Sequence, residues 1–196
     1  MNGKSSIYFK NPPPDASPLS LPCGQCIGCR IDRSRQWAIR CVHEAQQHGT
    51  RNAFITLTYD NEHLPETGSL DVKHFQDFMK RLRKKLHPQK IRFFHCGEYG
   101  DQLGRPHYHA LIFGYEFPDK QYAGKNNGFA YYNSKTLSDA WGKGIVSVGA
   151  LTFESAAYVA RYIFKKKMVQ IPLFTMQTLM ISLVKSMTIK GRNTLR

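Results

Sequence analysis

Two segments rich in β-branched and aromatic residues constrain the fold most, because only a short link separates them. IRFFHCGEY (91–99) and HYHALIFG (107–114) both have the composition of strands. The link between them, GDQLGR, contains two glycines, and an antiparallel hairpin is the simplest connection over so few residues. We therefore predict that these two strands pair side by side.

The hairpin predicts which side chains share a face. His107 and His109 point to one face of their strand, while Tyr108 points to the other. If residue 98 stands opposite residue 107, Glu98 faces the same side as both histidines. Two imidazoles and a carboxylate would form part of a site for a divalent cation. Two histidines packed in the core are the alternative, and the sequence leaves the register open.

Amphipathic helices and further strands are predicted on both sides of the hairpin. Helices are predicted over 30–47, 71–86 and 152–167. The other strands are predicted over 53–59 and 144–151. Asp71 and Thr152 are candidate N-caps, and residues 115–136 are predicted to be a long loop with room for a short strand. This mixture predicts an α+β fold, with helices packed on a mainly antiparallel sheet of about five strands.

The formal net charge of +14 over 196 residues is the strongest signal in the composition. It favours a phosphate-rich partner, although membranes also attract cations. The N-terminal segment lacks the apolar region of a signal peptide, and no apolar segment reaches the ~20 residues of a membrane-spanning helix. We therefore expect an intracellular protein with reduced thiols and no membrane partner.

Basic and aromatic side chains suggest how a nucleic acid would be held. The candidate DNA-binding residues are Lys80, Arg81, Arg83, Lys84, Lys85, Arg161, Lys166 and Lys167. Such clusters give salt-sensitive affinity with little sequence information, and a solvated helix face is the alternative for several of them. The aromatic residues that could stack on unpaired bases are Tyr115, Phe117, Tyr122, Phe129, Tyr131 and Tyr132. Some of these must lie in the core.

Three cysteines at two-residue gaps, Cys23, Cys26 and Cys29, suggest a metal site rather than a disulfide framework. Zinc needs four ligands, and Cys41 or His43 is the candidate for the fourth. If the helix over 30–47 is right, Cys41 lies on its buried stripe and simply packs in the core. An iron–sulfur cluster would also need a fourth cysteine. A structural zinc therefore stays one of two interpretations, and Cys96 is expected to be an inert core thiol.

Tyr158 and Tyr162 are i, i+4 neighbours on the last predicted helix, and Lys165 follows three residues later on the same face. Two tyrosines that pack the helix against the sheet would explain the pair. Two phenolic nucleophiles beside a cation would explain it as well. Because the pKa of a free phenol is about 10, such a nucleophile needs help at neutral pH.

Three motifs follow one another in the order found in a known family. They are TLTY (56–59), RPHYHALIFG (105–114) and YVARYIFK (158–165). With LPCGQCIGCR (21–30), they resemble the HUH endonucleases, specifically the rolling-circle replication initiators of gokushovirus-like microviruses, which are small single-stranded DNA phages. The resemblance covers roughly residues 20–167.

The resemblance implies a division of the chain into three parts. An HUH endonuclease domain with an RRM-like palm would occupy residues 29–167. An N-terminal loop with the cysteine-rich segment would precede it over 1–28. A basic tail over 168–196, in which we recognise no family feature, would follow.

The resemblance also implies a role for each motif residue. The metal ligands, around Mg²⁺ or Mn²⁺, would be Glu98, His107 and His109. Tyr158 would attack a DNA phosphate, leaving a 5′-phosphotyrosine and a free 3′-OH. Tyr162 would be the second nucleophile, and Lys165 would complete the motif. The substrate would be single-stranded DNA at the replication origin, in the cytoplasm of the host bacterium.

The sequence contains no G-x-x-x-x-G-K-[ST] run, so no ATP-driven helicase is expected in it. A host helicase and polymerase would then be partners. Two other function classes stay open: a non-catalytic nucleic-acid-binding protein with a cysteine-bound zinc, and a metallohydrolase whose ion activates water. Within the HUH class a plasmid initiator, relaxase or transposase is an alternative, although the CGQCIGC segment favours the phage group.

Overall fold

Over the residues that the structure describes, the chain forms a six-stranded antiparallel sheet with two helices against each face. The structure, a computed structural model, describes residues 21–100 and 104–164, together with 11, 13, 14, 16 and 17. The helices are α1 (Ile27–Gln47), α2 (Val72–Leu86), α3 (Lys135–Trp141) and α4 (Phe153–Phe164). The strands are β1 (Asn52–Tyr59), β2 (Arg92–Tyr99), β3 (Pro106–Phe113), β4 (Gln121–Asn126), β5 (Phe129–Asn133) and β6 (Gly144–Gly149).

The sheet order is β2-β3-β1-β6-β5-β4, and each neighbouring pair is antiparallel. The predicted α+β class is therefore confirmed, with six strands in the described residues where about five were expected. None of the helices within the described ranges combines the length and the apolarity needed to cross a membrane.

Both predicted N-cap residues cap their helices. The Asp71 carboxylate accepts a hydrogen bond from the backbone N–H of Lys73 at 2.8 Å, at the start of α2. Before α4, the Thr152 hydroxyl accepts from the N–H of Ser155 at 3.3 Å, and the Ser155 hydroxyl accepts from the N–H of Thr152 at 2.9 Å. These bonds satisfy N–H groups that the first turn of a helix leaves without partners.

The prediction of a long loop over 115–136 was wrong, because β4, β5 and the start of α3 lie there. The two strands form a hairpin around Asn127 and Gly128, which both have positive φ (49° and 83°). Most side chains of the hairpin are exposed, so the segment lacks the apolar alternation of a half-buried strand. The Asn-Gly pair was the available signal, since it favours a type I′ hairpin turn.

Two separate cores place the histidines on a defined side of the sheet. Along β3, Tyr108, Ala110 and Ile112 belong to the core under α2 and α3. Leu111 and Phe113 belong to the core under α1 and α4. Since side chains alternate along a strand, His107 and His109 lie on the α1/α4 side, which we call the histidine face.

The start of β6 is fixed by a close approach to β1. Gly144 has a φ of +133°, and a Cβ there would lie 2.3 Å from the backbone nitrogen of Asp60 and 2.5 Å from the carbonyl oxygen of Thr58. Only glycine fits such a contact. The approach brings Ile145 opposite Thr58, and Thr58 is in turn opposite His107.

Candidate functional site

The hairpin of β2 and β3 has the register that the cation-site hypothesis required. Glu98 stands opposite His107, and Cys96 stands opposite His109. Glu98 is 5% exposed and His109 is 7% exposed. One ligand atom from each of Glu98, His107 and His109 lies within 4.8 Å of the other two. The structure therefore brings the three predicted ligands together.

The tautomer of His107 is set by a backbone carbonyl. Its Nδ1 lies 2.9 Å from the carbonyl oxygen of Arg105, which can only accept, so Nδ1 carries the proton. The lone pair of Nε2 then faces the Glu98 carboxylate, at 3.5 Å from Oε2. Arg105 is itself held by hydrogen bonds to the carbonyl of Tyr59 (2.9 Å) and the side chain of Asn61 (2.6 Å).

His109 is held by Thr56 on the neighbouring strand. Its Nδ1 lies 2.9 Å from the Thr56 hydroxyl, and its ring stacks on Phe54 with the ring centroids 5.5 Å apart. Burial lowers the pKa of His109, and the nearby charge of His107 lowers it too, against the opposing effect of Glu98. The imidazole is therefore neutral at pH 7 and can offer a lone pair to a metal ion.

One buried atom points to a missing cation. His109 Nε2 lies 3.1 Å from Glu98 Oε2, yet it is buried and has no hydrogen-bond partner in geometry among the described residues. A buried polar atom without a partner costs about 1–3 kcal/mol. Two imidazole nitrogens and a carboxylate oxygen that face one another without intervening hydrogens fit a single divalent cation that keeps open positions.

Helix α4 brings Tyr158 onto the carboxylate. The Tyr158 hydroxyl donates a hydrogen bond of 2.7 Å to Glu98 Oε2, and the edge of one ring meets the face of the other between Tyr158 and His109 at a centroid distance of 5.0 Å. Burial raises the pKa of Tyr158, and the charge of Glu98 raises it further. The hydroxyl is therefore protonated in this arrangement. The ring of Tyr162 packs beside it, 4.9 Å away.

The carboxylate of Glu98 stays ionised despite its surroundings. Burial would raise its pKa, but contacts from His107 and His109 and from the hydroxyls of Tyr162 and Tyr158 outweigh burial and hold that pKa well below its usual range. An ionised carboxylate with several donors around it is the form that binds a cation.

The predicted basic residues are divided between regions. Helix α2 packs on the side of the sheet away from the histidines, so its cations are not brought to them. Arg81 donates to the carbonyl oxygens of Ala140 and Trp141, Lys85 pairs with Asp139, and Lys80 pairs with Asp77. Arg83 lies over the ring of Phe93, and Lys84 is exposed.

Helix α4 carries one predicted cation within the described residues, Arg161, whose Nε is buried without a hydrogen-bond partner among those residues. Lys165, Lys166 and Lys167 lie outside the described residues. The predicted tail over 168–196 lies outside them as well.

The structure sorts the aromatic residues predicted to stack on bases. Phe117 is fully buried, and Tyr115 and Tyr132 pack against the core under α2 and α3. Tyr122 is 62% exposed but stands opposite Tyr132, on the side away from the histidines. Phe129 (56% exposed) and Tyr131 alternate with Tyr132, so they lie on the histidine face.

Ile145 is a surface residue that sequence reasoning missed. It is 70% exposed and stands on the histidine face, in the same row across the strands as Glu98, His107 and Thr58. The parity of GIVSVG, with Val146 and Val148 buried, was the signal that could have placed it outside the core.

The three cysteines lie together before and within the first turn of α1, and Cys41 does not join them. Cys41 is buried in the core under α4. Hydrogen bonding by the backbone of Cys26 lowers the pKa of the exposed Cys23 thiol to about 7. Burial raises the pKa of Cys41 and of Cys96 to about 12, so these two thiols are protonated.

Comparison with known proteins gives a consistent set of relatives. A family model of replication-associated proteins of the ORF2 type matches residues 52–167. The replication-associated protein VP4 of Bdellovibrio phage phiMH2K is 40% identical over 156 residues, which cover 76% of this chain and 49% of that protein. ORF2 of Spiroplasma virus 4, also a replication-associated protein, is 37% identical over 155 residues, with 75% and 48% covered.

A third relative, the replication-associated protein ORF4 of Chlamydia phage 1, is 38% identical over 154 residues, with 74% and 38% covered. The chain thus spans about half the length, or less, of these curated relatives. No solved structure matches the chain.

Proposed function

This chain belongs to the ORF2-type family of replication-associated proteins, and from that premise we propose that it initiates rolling-circle replication by nicking and rejoining single-stranded origin DNA through Tyr158. The names of the relatives support a role in phage replication, and the net charge of +14 suits a phosphate-rich substrate. The HUH-type mechanism is our proposal for the site described above.

The observation that carries the proposal is the contact between Tyr158 and Glu98. A phenolic hydroxyl lies 2.7 Å from a buried carboxylate that two histidines also face. Packing alone would explain a tyrosine at this position. It would not explain a partnerless imidazole nitrogen and an ionised carboxylate directly beneath the phenol.

In this proposal Glu98, His107 and His109 hold Mg²⁺ or Mn²⁺. When bound, the ion would polarise a phosphate oxygen and stabilise the charge that develops on it. Arg105 and Thr56 act through the histidines, since they fix which ring nitrogen faces the site.

Tyr158 performs the covalent step. A bond forms between its hydroxyl oxygen and the phosphorus as the bond to the 3′ oxygen breaks, and the proton lost by the phenol is matched by the proton gained at the 3′-OH. One phosphodiester replaces another, so the same site can rejoin the ends without ATP. Tyr162, packed against Tyr158, is positioned to serve as the second nucleophile.

The proposed substrate is unpaired DNA, with the phosphate backbone contacted by basic side chains and the bases by the histidine face. Lys165, Lys166 and Lys167 are included in the proposal from the sequence alone. The protein would act in the host bacterial cytoplasm, with a host helicase and polymerase as partners.

The test is formation of a covalent adduct. Purified protein is incubated with labelled single-stranded origin DNA and Mn²⁺, and an SDS-stable protein–DNA band is expected. Tyr158→Phe should abolish the band, because it removes only the nucleophilic oxygen. Tyr122→Phe, on the other side of the sheet, is the matched control and should leave it unchanged.

Two outcomes would contradict the proposal. Cleavage without any adduct would indicate a metallohydrolase that activates water. Tight binding without cleavage by folded wild-type protein would indicate a binding protein instead of a nuclease.

A further inference from the structure

The cysteine cluster stands apart from the tyrosine site and has the dimensions of a metal site. The sulfur atoms of Cys23, Cys26 and Cys29 all lie within 4.8 Å of one another. Those of Cys23 and Cys29 are 3.8 Å apart. A tetrahedral ion with metal–sulfur bonds of ~2.3 Å holds its ligands about 3.8 Å apart, so three sulfurs already outline one tetrahedral face.

The backbone prepares this arrangement. The N–H of Cys26 donates to the sulfur of Cys23 at 3.2 Å, and the N–H of Cys29 donates to the sulfur of Cys26 at 3.5 Å. Gly24, with φ at +73°, allows the turn between the first two cysteines. Donors directed at a sulfur favour its thiolate, which is the form that binds metal.

The spacing favours one ion over a cluster of several. In a four-iron cluster each cysteine binds a different iron, so its sulfurs stand farther apart than around a single ion. Soft thiolate ligands in a tetrahedral arrangement select zinc among the common divalent metals. None of the five cysteines forms a disulfide.

A fourth ligand from this chain does not accompany the three cysteines. Among the described residues, no further cysteine, histidine or carboxylate joins their group. Cys41 is twelve residues beyond Cys29 on the same helix, about 18 Å along its axis, and His43 is about 21 Å along it. Outside the described residues, the 196-residue sequence contains neither cysteine nor histidine.

The cluster lies toward the Glu98 end of the sheet. Along β2, Arg92 pairs with Glu44 of α1, and Phe94 stacks on Trp37 of α1 with centroids 5.3 Å apart. Helix α1 therefore runs antiparallel to β2, and its first turn points toward Glu98. Helix α1 also packs along α4, which carries Tyr158.

We propose that Cys23, Cys26 and Cys29 bind one zinc ion as three thiolates, and that the fourth position is open to a ligand from outside the described chain, such as water or an added imidazole. The ion fixes the first turn of α1 beside the helix that carries the tyrosines. The proposal does not depend on DNA chemistry, so it can fail while the nuclease proposal stands.

Cobalt is the probe, because Co²⁺ in a tetrahedral thiolate site absorbs strongly through sulfur-to-metal charge transfer. The titration uses the full chain carrying His107→Ala and His109→Ala, to remove the other candidate metal site, with folding checked by circular dichroism. We expect one Co²⁺ per chain, displaced by one equivalent of Zn²⁺, and a rise in Tm on zinc binding. Added imidazole should shift the visible bands as it enters the open position.

Cys26→Ser should lose the charge-transfer band and weaken binding at least tenfold, whereas Cys41→Ser, which changes a thiol outside the cluster, should keep both. A band that survives Cys26→Ser, or that is lost equally in Cys41→Ser, would overturn the site. Bands indifferent to imidazole would overturn the open position. A disulfide between Cys23 and Cys29 in protein purified without reductant would replace the metal site with a redox pair.

Discussion

At the scale of single residues, the candidate site depends on which nitrogen of each histidine carries its proton. His107 is fixed by the carbonyl of Arg105, and His109 is fixed by the hydroxyl of Thr56. These second contacts direct both Nε2 atoms toward Glu98. Neither contact was visible in the sequence, since Thr56 lies 53 positions before His109. Such supporting contacts orient a ligand as firmly as the ligand's own backbone does.

Thr56→Val tests the positioning of His109. Valine keeps the shape and removes the hydroxyl, so the imidazole can rotate or adopt the other tautomer. We expect Mn²⁺ affinity to fall by about 10–100-fold, measured by calorimetry. Thr56→Ser, which restores the hydroxyl, should recover most of the affinity, and a similar loss in both variants would show that packing alone is involved.

Glu98 makes stability depend on pH in a defined direction. Its pKa is lowered in the folded protein, so the ionised carboxylate stabilises the fold above its unfolded pKa of about 4.3. That contribution is lost as the pH falls through the folded pKa. With EDTA present, the difference in free energy of unfolding between wild type and Glu98→Gln should shrink from pH 7 to pH 3. A difference that stays constant over this range would contradict the lowered pKa.

At the scale of elements, the β4–β5 hairpin extends the sheet beyond the strands that carry the histidines. Its exposed aromatics divide by parity: Phe129 and Tyr131 lie on the histidine face, and Tyr122 lies on the other. Ile145 of β6 lies between them and His107 in the sheet. The histidine face thus continues from the candidate site into an aromatic surface of the kind on which unpaired bases stack.

Phe129→Ala and Tyr122→Ala form a matched pair on the two faces of this hairpin. Because loss of a stacked base costs about 1–3 kcal/mol, Phe129→Ala should weaken single-stranded DNA binding by roughly tenfold. Tyr122→Ala, with a similar exposed fraction, should bind like wild type. Fluorescence anisotropy with a labelled oligonucleotide measures both, and equal losses would show that the bases do not follow the histidine face.

At the scale of the whole molecule, net charge and fold act on different properties. The charge of +14 predicts attraction to phosphate wherever the basic residues lie. The fold decides which of them reach the substrate side, and it places α2, with five of the predicted cations, behind the sheet. Some of these cations already have structural partners, as Arg81 has in the carbonyls that end α3.

The affinity for single-stranded DNA should fall steeply with salt. If about four phosphates are neutralised, the slope of log K against log salt is about −2.8, so affinity drops ~50-fold between 50 and 200 mM. Anisotropy titrations with EDTA present isolate this backbone effect from the candidate metal site. An affinity unchanged over that range would mean that the charge does not contact the DNA backbone.

The sequence by itself determined the elements, the N-caps, the parity of the histidines and the family resemblance, because each depends on residues close together in the chain. Periodicity predicted α2 and β3 almost to the residue, and it failed at β4 and β5, where exposed polar side chains show no alternation.

Only the tertiary structure decided the register that sets Glu98 opposite His107, and the packing that lays Tyr158 on that carboxylate across 60 residues of chain. It also separated Cys41 from the three other cysteines and turned α2 away from the histidines. Such contacts follow from how whole faces bury one another, and local patterns specify which face is apolar without specifying its partner. The RPHYHALIFG segment therefore indicated that two imidazoles share a side, and the packing of α4 decided what they share it with.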